Sequence, residues 1–197
     1  MAKPSNRDKL LTEGLRVVHE RGFGGASVRD IVAAAGVPQG SFTNHFASKE
    51  AFGLEIVNLY FQGSCELFDR TLRNESLPPL QRLSDYIDAS TGRLGDGGAR
   101  HGCLFGNFMA EASEHSELIR ARVVELLAEV ERLVRSCLGA AVAAQELPPD
   151  FDCAEGAAFI VASLQGAILM SKAQRSCAPI DQFKHILFSR ILRLSHS

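Results

Sequence analysis

With 197 residues, 46% of them hydrophobic and 22% charged, the sequence has the composition of a globular protein and not of a disordered chain. No apolar run approaches the roughly 20 residues of a membrane span, and the polar first dozen residues lead into no apolar stretch, so the expectation is a cytoplasmic protein without anchor or signal peptide. The net charge of −2 hides an asymmetry, seven Lys/Arg against five Asp/Glu in residues 1–50 but 14 against 18 in residues 51–197, which puts any nucleic-acid partner at the N-terminal end.

Every periodic segment has a helical period, and none alternates as a strand does. The first helix is expected over 5–22, with Leu11, Leu15 and Val18 on one face and Gly22 as its stop. Ser27-Val28-Arg29-Asp30 reads as a capping box that opens a short helix with Val28, Ile31, Val32 and Ala35 on one side. Gly36 ends it, being the residue type that takes left-handed backbone without strain. Pro38 is expected in the first turn of the next helix, 38–46, which buries Phe42 and Phe46. Ser48 caps a long helix to about residue 74, and Pro78-Pro79 opens another to about residue 94. A Gly-rich break at 95–102 precedes helices over 103–112 and 116–144, the second with Ile119, Val123, Leu127, Val130 and Val134 as its stripe. Beyond Pro148-Pro149, the last two helices are expected at 152–176 and 180–194, separated by Pro179.

The 152–176 helix is apolar all round: Phe159, Ile160, Leu164, Ile168, Leu169 and Met170 are interspersed with Ala162 and Gly166. Such a helix must be covered on every side. A second subunit is one source of cover, approached closely over the small residues; a central place in the core is the other. The stripe Phe183, Leu187, Ile191 and Leu194 favours the subunit, because little sequence remains to cover it. A homodimer through 152–176 and 180–194 is therefore expected.

Two short helices joined by Gly36-Val37 have the lengths and tight turn of a helix-turn-helix. In that unit the second helix enters the major groove with its N-terminal polar residues toward base edges. Gln39, Gly40, Ser41, Thr43, Asn44 and His45 are expected on its exposed face, while Phe42 and Phe46 anchor it. Gln39 and Asn44 carry the amide suited to adenine's two-point edge. Lys49 and Arg29 stand near helix starts, where a phosphate would lie.

The stretch RGFGGASVRDIVAAAGVPQGSFTNHFASKEAF, residues 21–52, resembles the N-terminal domain of the TetR family, with R-G-F, A-G-V, G-S-F and H-F-x-S-K-E as its marks. The resemblance implies an all-α, nine-helix homodimer. A three-helix DNA-binding domain at 1–50 would precede an effector-binding and dimerisation domain at 51–197. It implies a ligand-responsive repressor that binds a palindromic operator in double-stranded DNA and is released by a small apolar or electrophilic molecule. Arg29, Gln39, Gly40, Ser41, Thr43, Asn44, His45 and Lys49 fall on the family's DNA-contact positions. One departs from the pattern: Thr43 stands where the family usually has Tyr.

The sensing half is harder to read. Gly102-Cys103-Leu104 followed by Ala110-Glu111 is similar to a branch of the family that carries G-C-L at the start of its sixth helix, and in some members the matching cysteine reacts with electrophiles. Cys103 follows a Gly-rich break at an expected helix N-terminus, where the helix dipole favours a thiolate, with Arg100 and His101 as neighbours. The alternative is an inert buried thiol, the reading given to Cys65, Cys137, Cys153 and Cys177; the five cysteines of the chain are odd in number and form no C-x-x-C pair. Phe61, Phe68, Phe105, Phe108, Met109 and Phe159 are candidates to line an effector pocket or to fill the core, and Asn107 and Gln165 are candidates to orient a ligand. No cofactor or metal is expected: Glu111 and His115 stand at i, i+4 without a third ligand. The rival to the regulator is a helical enzyme with Cys103 as nucleophile.

Overall fold

The computed structural model describes residues 4–92, 101–111 and 116–192. Among the described residues there are nine α-helices and no strand: α1 (Asn6–Gly25), α2 (Val28–Ala35), α3 (Ser41–His45), α4 (Lys49–Arg70), α5 (Pro79–Gly92), α6 (Leu104–Glu111), α7 (Glu117–Ala143), α8 (Cys153–Gln174) and α9 (Ala178–Ile186), the last followed by a π-helical turn, Leu187–Ile191. Met1–Gly63 with Leu104–Glu125 forms one compact unit, and Ser64–Cys103 with Leu126–Ser197 forms the other. The first unit thus runs past residue 50, where the sequence reading divides the domains, and takes in α6 and the start of α7.

Local capping sets the element boundaries. Ser5 Oγ accepts from the Asp8 N–H at 3.1 Å and the Asp8 carboxylate accepts from the Ser5 N–H, so α1 opens on a capping box. Gly22 (φ 77, ψ 160) does not end α1 as expected but breaks it, and one more turn runs to Gly25. Ser27 and Asp30 make the expected box for α2, and Gly36 (φ 60, ψ 38) ends it in the left-handed region. The expected start of the third helix is corrected: the Ser41 N–H bonds the Pro38 carbonyl at 2.9 Å, so residues 38–41 are a turn and the helix begins at Ser41. Ser48 Oγ accepts from the Ala51 N–H at 3.0 Å and caps α4.

In the first unit, Leu10, Val18, Ile31, Phe42, Phe46, Phe52 and Ile56 are buried together. Each such side chain contributes about 1.5–3 kcal/mol on leaving water. In the second unit Leu83, Ile87, Leu138, Ile160, Leu164, Ile180 and Leu187 are buried. The free Leu80 N–H at the start of α5 donates to Glu146 Oε2 at 2.8 Å, and Gly156 leaves the room that the Phe151 ring fills.

The structure departs from the sequence expectation at α9 and α8 as well. Pro179 lies inside the first turn of α9 instead of separating helices, since its missing N–H would be unsatisfied there in any case. And α8 is, by length and composition, apolar enough to cross a membrane, with a mean hydropathy of 1.6 and only 22% of that stretch buried. Its packed side is Ala157, Ile160, Leu164, Ala167 and Ile168; its open side carries Ala158, Phe159, Ala162, Gly166, Leu169 and Met170. Ile186 and Ile191 continue the exposed apolar surface past α8, and Leu194 lies outside the described residues.

Candidate nucleic-acid interface and sensing residues

The three N-terminal helices hold α3 through aromatic packing. Phe42, Phe46 and Phe52 form a closed triangle, with ring centroids 5.0 to 5.3 Å apart. Gly14 gives the Phe52 ring its place, because a β-carbon there would overlap it. With its two phenylalanines inward, α3 turns Gln39, Gly40, Thr43, Asn44 and His45 to solvent, and Arg29 is exposed on α2. Thr43 Oγ1 donates back to the Gly40 carbonyl at 3.1 Å, so its hydroxyl hydrogen is already used.

Two expected contact residues sit differently. Ser41 is only 8% exposed, where an exposed residue was expected, and the Asn6 amide donates to its Oγ at 3.4 Å. The cause is the late start of α3, which makes Ser41 the first helical residue, next to α1. Lys49 is half-buried; its Nζ donates to the Gly24 carbonyl at 3.5 Å and lies 4.7 Å from the Phe23 ring centroid. Burial lowers the Lys49 pKa, and the Glu111 carboxylate opposes that shift.

Sequence reasoning missed the residues that steady this arrangement. Arg7 pairs with Glu55 while its guanidinium covers the Phe46 ring, and Arg21 pairs with Asp30 at 2.8 Å. The Ser116 hydroxyl donates to Glu50 and accepts from the Ile119 N–H at 3.1 Å, which caps α7. Partners so far apart in sequence leave no periodic signal; only the short side chains next to helix starts hint at them.

The candidate effector residues divide between the units. In the first, Phe61, Phe105, Asn107 and Phe108 are all buried. Phe105 meets Tyr60 edge-on at 5.0 Å and Phe61 at 6.4 Å, and Phe108 packs on Phe23 at 5.3 Å. In the second, Phe68 lies 6.0 Å from the Tyr86 ring. Burial pushes the Tyr86 hydroxyl up to about 12, against a hydrogen bond with Ser90, and the nearby Cys103 adds to the rise. Cys103 is itself half-buried and immediately precedes α6. Gln165 Oε1 is buried without a hydrogen-bond partner among the described residues. Arg100, most of the 95–102 break and His115 lie outside the described residues. Glu111, weighed with His115 as a metal ligand, instead accepts from the Gly24 N–H.

Similarity to known proteins agrees with this geometry. Residues 10–56 match the tetR family of bacterial regulatory proteins, and residues 79–187 match the tetracyclin repressor-like C-terminal domain. The HTH-type transcriptional repressor DhaR of Mycobacterium sp. (strain GP1) is 38% identical, over 98% of this chain and 95% of its own. The transcriptional regulator AcuR of Cereibacter sphaeroides is 31% identical, over 88% of this chain and 80% of its own. The crystal structure of a regulatory protein TetR from Rhodobacter sphaeroides superposes with a TM-score of 0.88 at 30% identity, covering 94% of this chain and 97% of that one. With the helix-turn-helix family matched at one end, the repressor-like domain at the other and one relative aligned along nearly the whole length, the chain belongs to the TetR family of bacterial transcriptional regulators.

Proposed function

We propose that the protein is a cytoplasmic repressor that binds a palindromic operator as a homodimer and releases it when a small apolar or electrophilic effector binds. The observation that carries the reading is the outer face of α3. Thr43, Asn44 and His45 are exposed on a helix locked by Phe42 and Phe46, and Gln39 is exposed in the turn before it. Gln39 and Asn44 would read adenine edges. Arg29, the Gly40 backbone and, once freed from Gly24, Lys49 would meet phosphates. Ser41 serves in this reading as the anchor to Asn6; its N–H is held by the Pro38 carbonyl, and its contact with DNA would be through the hydroxyl hydrogen.

The second copy would sit on the open side of α8, with Ile186 and Ile191 extending the surface; Ala162 and Gly166 let a helix approach closely. For the effector, the second unit offers Phe68 and Cys103 beside Tyr86, and Gln165, whose buried Oε1 needs a donor that a ligand would supply. In the first unit Phe61, Phe105 and Asn107 are the candidates around Tyr60, while Phe108, packed on Phe23, is read as core. Regulation, not turnover, is the role; steady consumption of an electrophilic substrate would instead favour an enzyme with Cys103 as nucleophile.

The test is selection of duplex DNA from a random-sequence pool by wild type, followed by titration of that duplex with Gln39→Ala and Asn44→Ala. Each variant is expected to lose about tenfold or more in affinity and to relax its base preference. Wild-type affinity and preference in both would sink the assignment of α3 as the reading helix.

A further inference from the structure

The end of α6 is seated in the break of α1. At Gly22 the backbone takes a φ of 77, and a β-carbon there would overlap the Glu111 carboxylate that rests against it. Two residues on, the Gly24 N–H donates to Glu111 Oε2 at 3.1 Å, a bond across 87 residues of sequence. The Gly24 carbonyl in turn accepts from Lys49 Nζ, so one peptide segment is held between a carboxylate from α6 and an ammonium from α4. Phe23, between the two glycines, packs on Phe108, which precedes Glu111 by one turn of α6. Gly53 makes room on α4 for the Phe23 ring and for Ile119.

We propose that Glu111 is the positioning residue through which α6 holds α1–α3 in the attitude that operator binding requires. The inference rests on the operator reading above and adds the side chain that carries the coupling. A carboxylate that accepts a backbone N–H makes a charge-assisted hydrogen bond, stronger than a neutral one. Gly22 supplies both things the joint needs, a positive φ and the absence of a side chain. A short helix moves as a rigid piece, so a shift beginning at Leu104, next to Cys103, reaches Glu111 and pulls on the α1 break with little loss. Glu111 touches no DNA in this account; it acts through the Gly22–Gly24 segment of α1.

Four variants test it on the duplex selected by wild type. Glu111→Ala is expected to weaken binding about tenfold, within the usual span of coupling between sites. The dependence of affinity on salt should keep its wild-type slope, because no phosphate contact is removed. The Gly24 amide should lose its protection from hydrogen exchange. Glu111→Gln keeps an acceptor and should restore both the protection and most of the affinity. Gly22→Ala, which closes the seat from the other side, should match Glu111→Ala. If Glu111→Ala does not fold, Glu111→Asp decides, since its carboxylate is one methylene too short to reach Gly24. Wild-type affinity in Glu111→Ala or Glu111→Asp with an unprotected Gly24 amide overturns the inference and leaves the operator reading intact. A wild-type protein that selects no duplex overturns the operator reading, and this inference with it.

Discussion

The Arg7 guanidinium pairs with the Glu55 carboxylate across 48 residues of sequence and lies 5.6 Å from the Phe46 ring centroid. The start of α1 is thereby fastened to α4 over the end of α3. Both side chains are partly exposed, 43% and 37%, so solvent screens the pair. Arg7→Ala is expected to lower stability by no more than about 1 kcal/mol from charge and ring cover together. Urea melts should show the loss shrinking in 1 M salt; a loss several times larger would mean that Arg7 supports the aromatic triangle by packing.

Ser27→Ala should cost about 1 kcal/mol, the usual worth of an N-cap side chain. The same box gives a sign in acid. Hydrogen bonds from Ser27, with Arg21 nearby, hold the Asp30 pKa below its ordinary 3.8. A depressed carboxylate contributes stability that is present above the ordinary value and is lost as pH falls through the folded one. Acid unfolding of Ser27→Ala should therefore be less steep below pH 3.8 than that of wild type, as followed by circular dichroism.

Leu169 and Met170 are 57% and 52% exposed on the open side of α8. Leu169→Arg is expected to convert a dimer to a monomer in sedimentation and to weaken operator binding by well over tenfold, because two half-sites are no longer held by one particle. A monomeric wild type at micromolar concentration would refute the α8 surface as the subunit contact.

The cysteines should react in a set order. Cys177 is exposed, whereas Cys137 is buried with its thiol donating to the Pro79 carbonyl at 3.2 Å. Burial pushes the Cys137 thiol from its ordinary 9.0 up to about 11. Its contribution to stability is whole below pH 9 and is lost as pH rises through 11, in the same direction as that of Tyr86. N-ethylmaleimide should label Cys177 first and Cys137 only on unfolding, as mass spectrometry of timed samples would show. In the same reaction, release of operator by wild type but not by Cys103→Ser identifies Cys103 as a covalent trigger; equal retention by both assigns sensing to a non-covalent ligand.

What could be read from the sequence follows from how far each physical signal reaches. The Ser27 and Ser48 caps act within three residues, so the starts of α2 and α4 were legible. Pro38 reads as a first-turn residue on equally local grounds, yet the chain makes a turn before α3, and Ser41 goes inward to Asn6. Gly22 reads as a stop, but a stop and a break at positive φ look alike in sequence. The bond that gives Gly22 its use comes from Glu111, on a helix that neither periodicity nor capping connects to it. The exposed face of α3 was legible because Phe42 and Phe46 at i, i+4 leave only one side for the polar residues.

The π-helical turn after α9 has a consequence for how the chain tolerates change in length. Leu187 and Leu192 are both buried and stand five residues apart, joined by the Leu192 N–H to the Leu187 carbonyl at 2.9 Å. An ordinary helical turn of 3.6 residues would not bring positions so spaced to the same side. Removing one residue between them would leave the two leucines four apart, the spacing at which an ordinary α-helical turn brings side chains to one face. The segment already carries one residue more than a regular helix needs, so a single-residue deletion at 188–191 should be tolerated far better than a single-residue insertion.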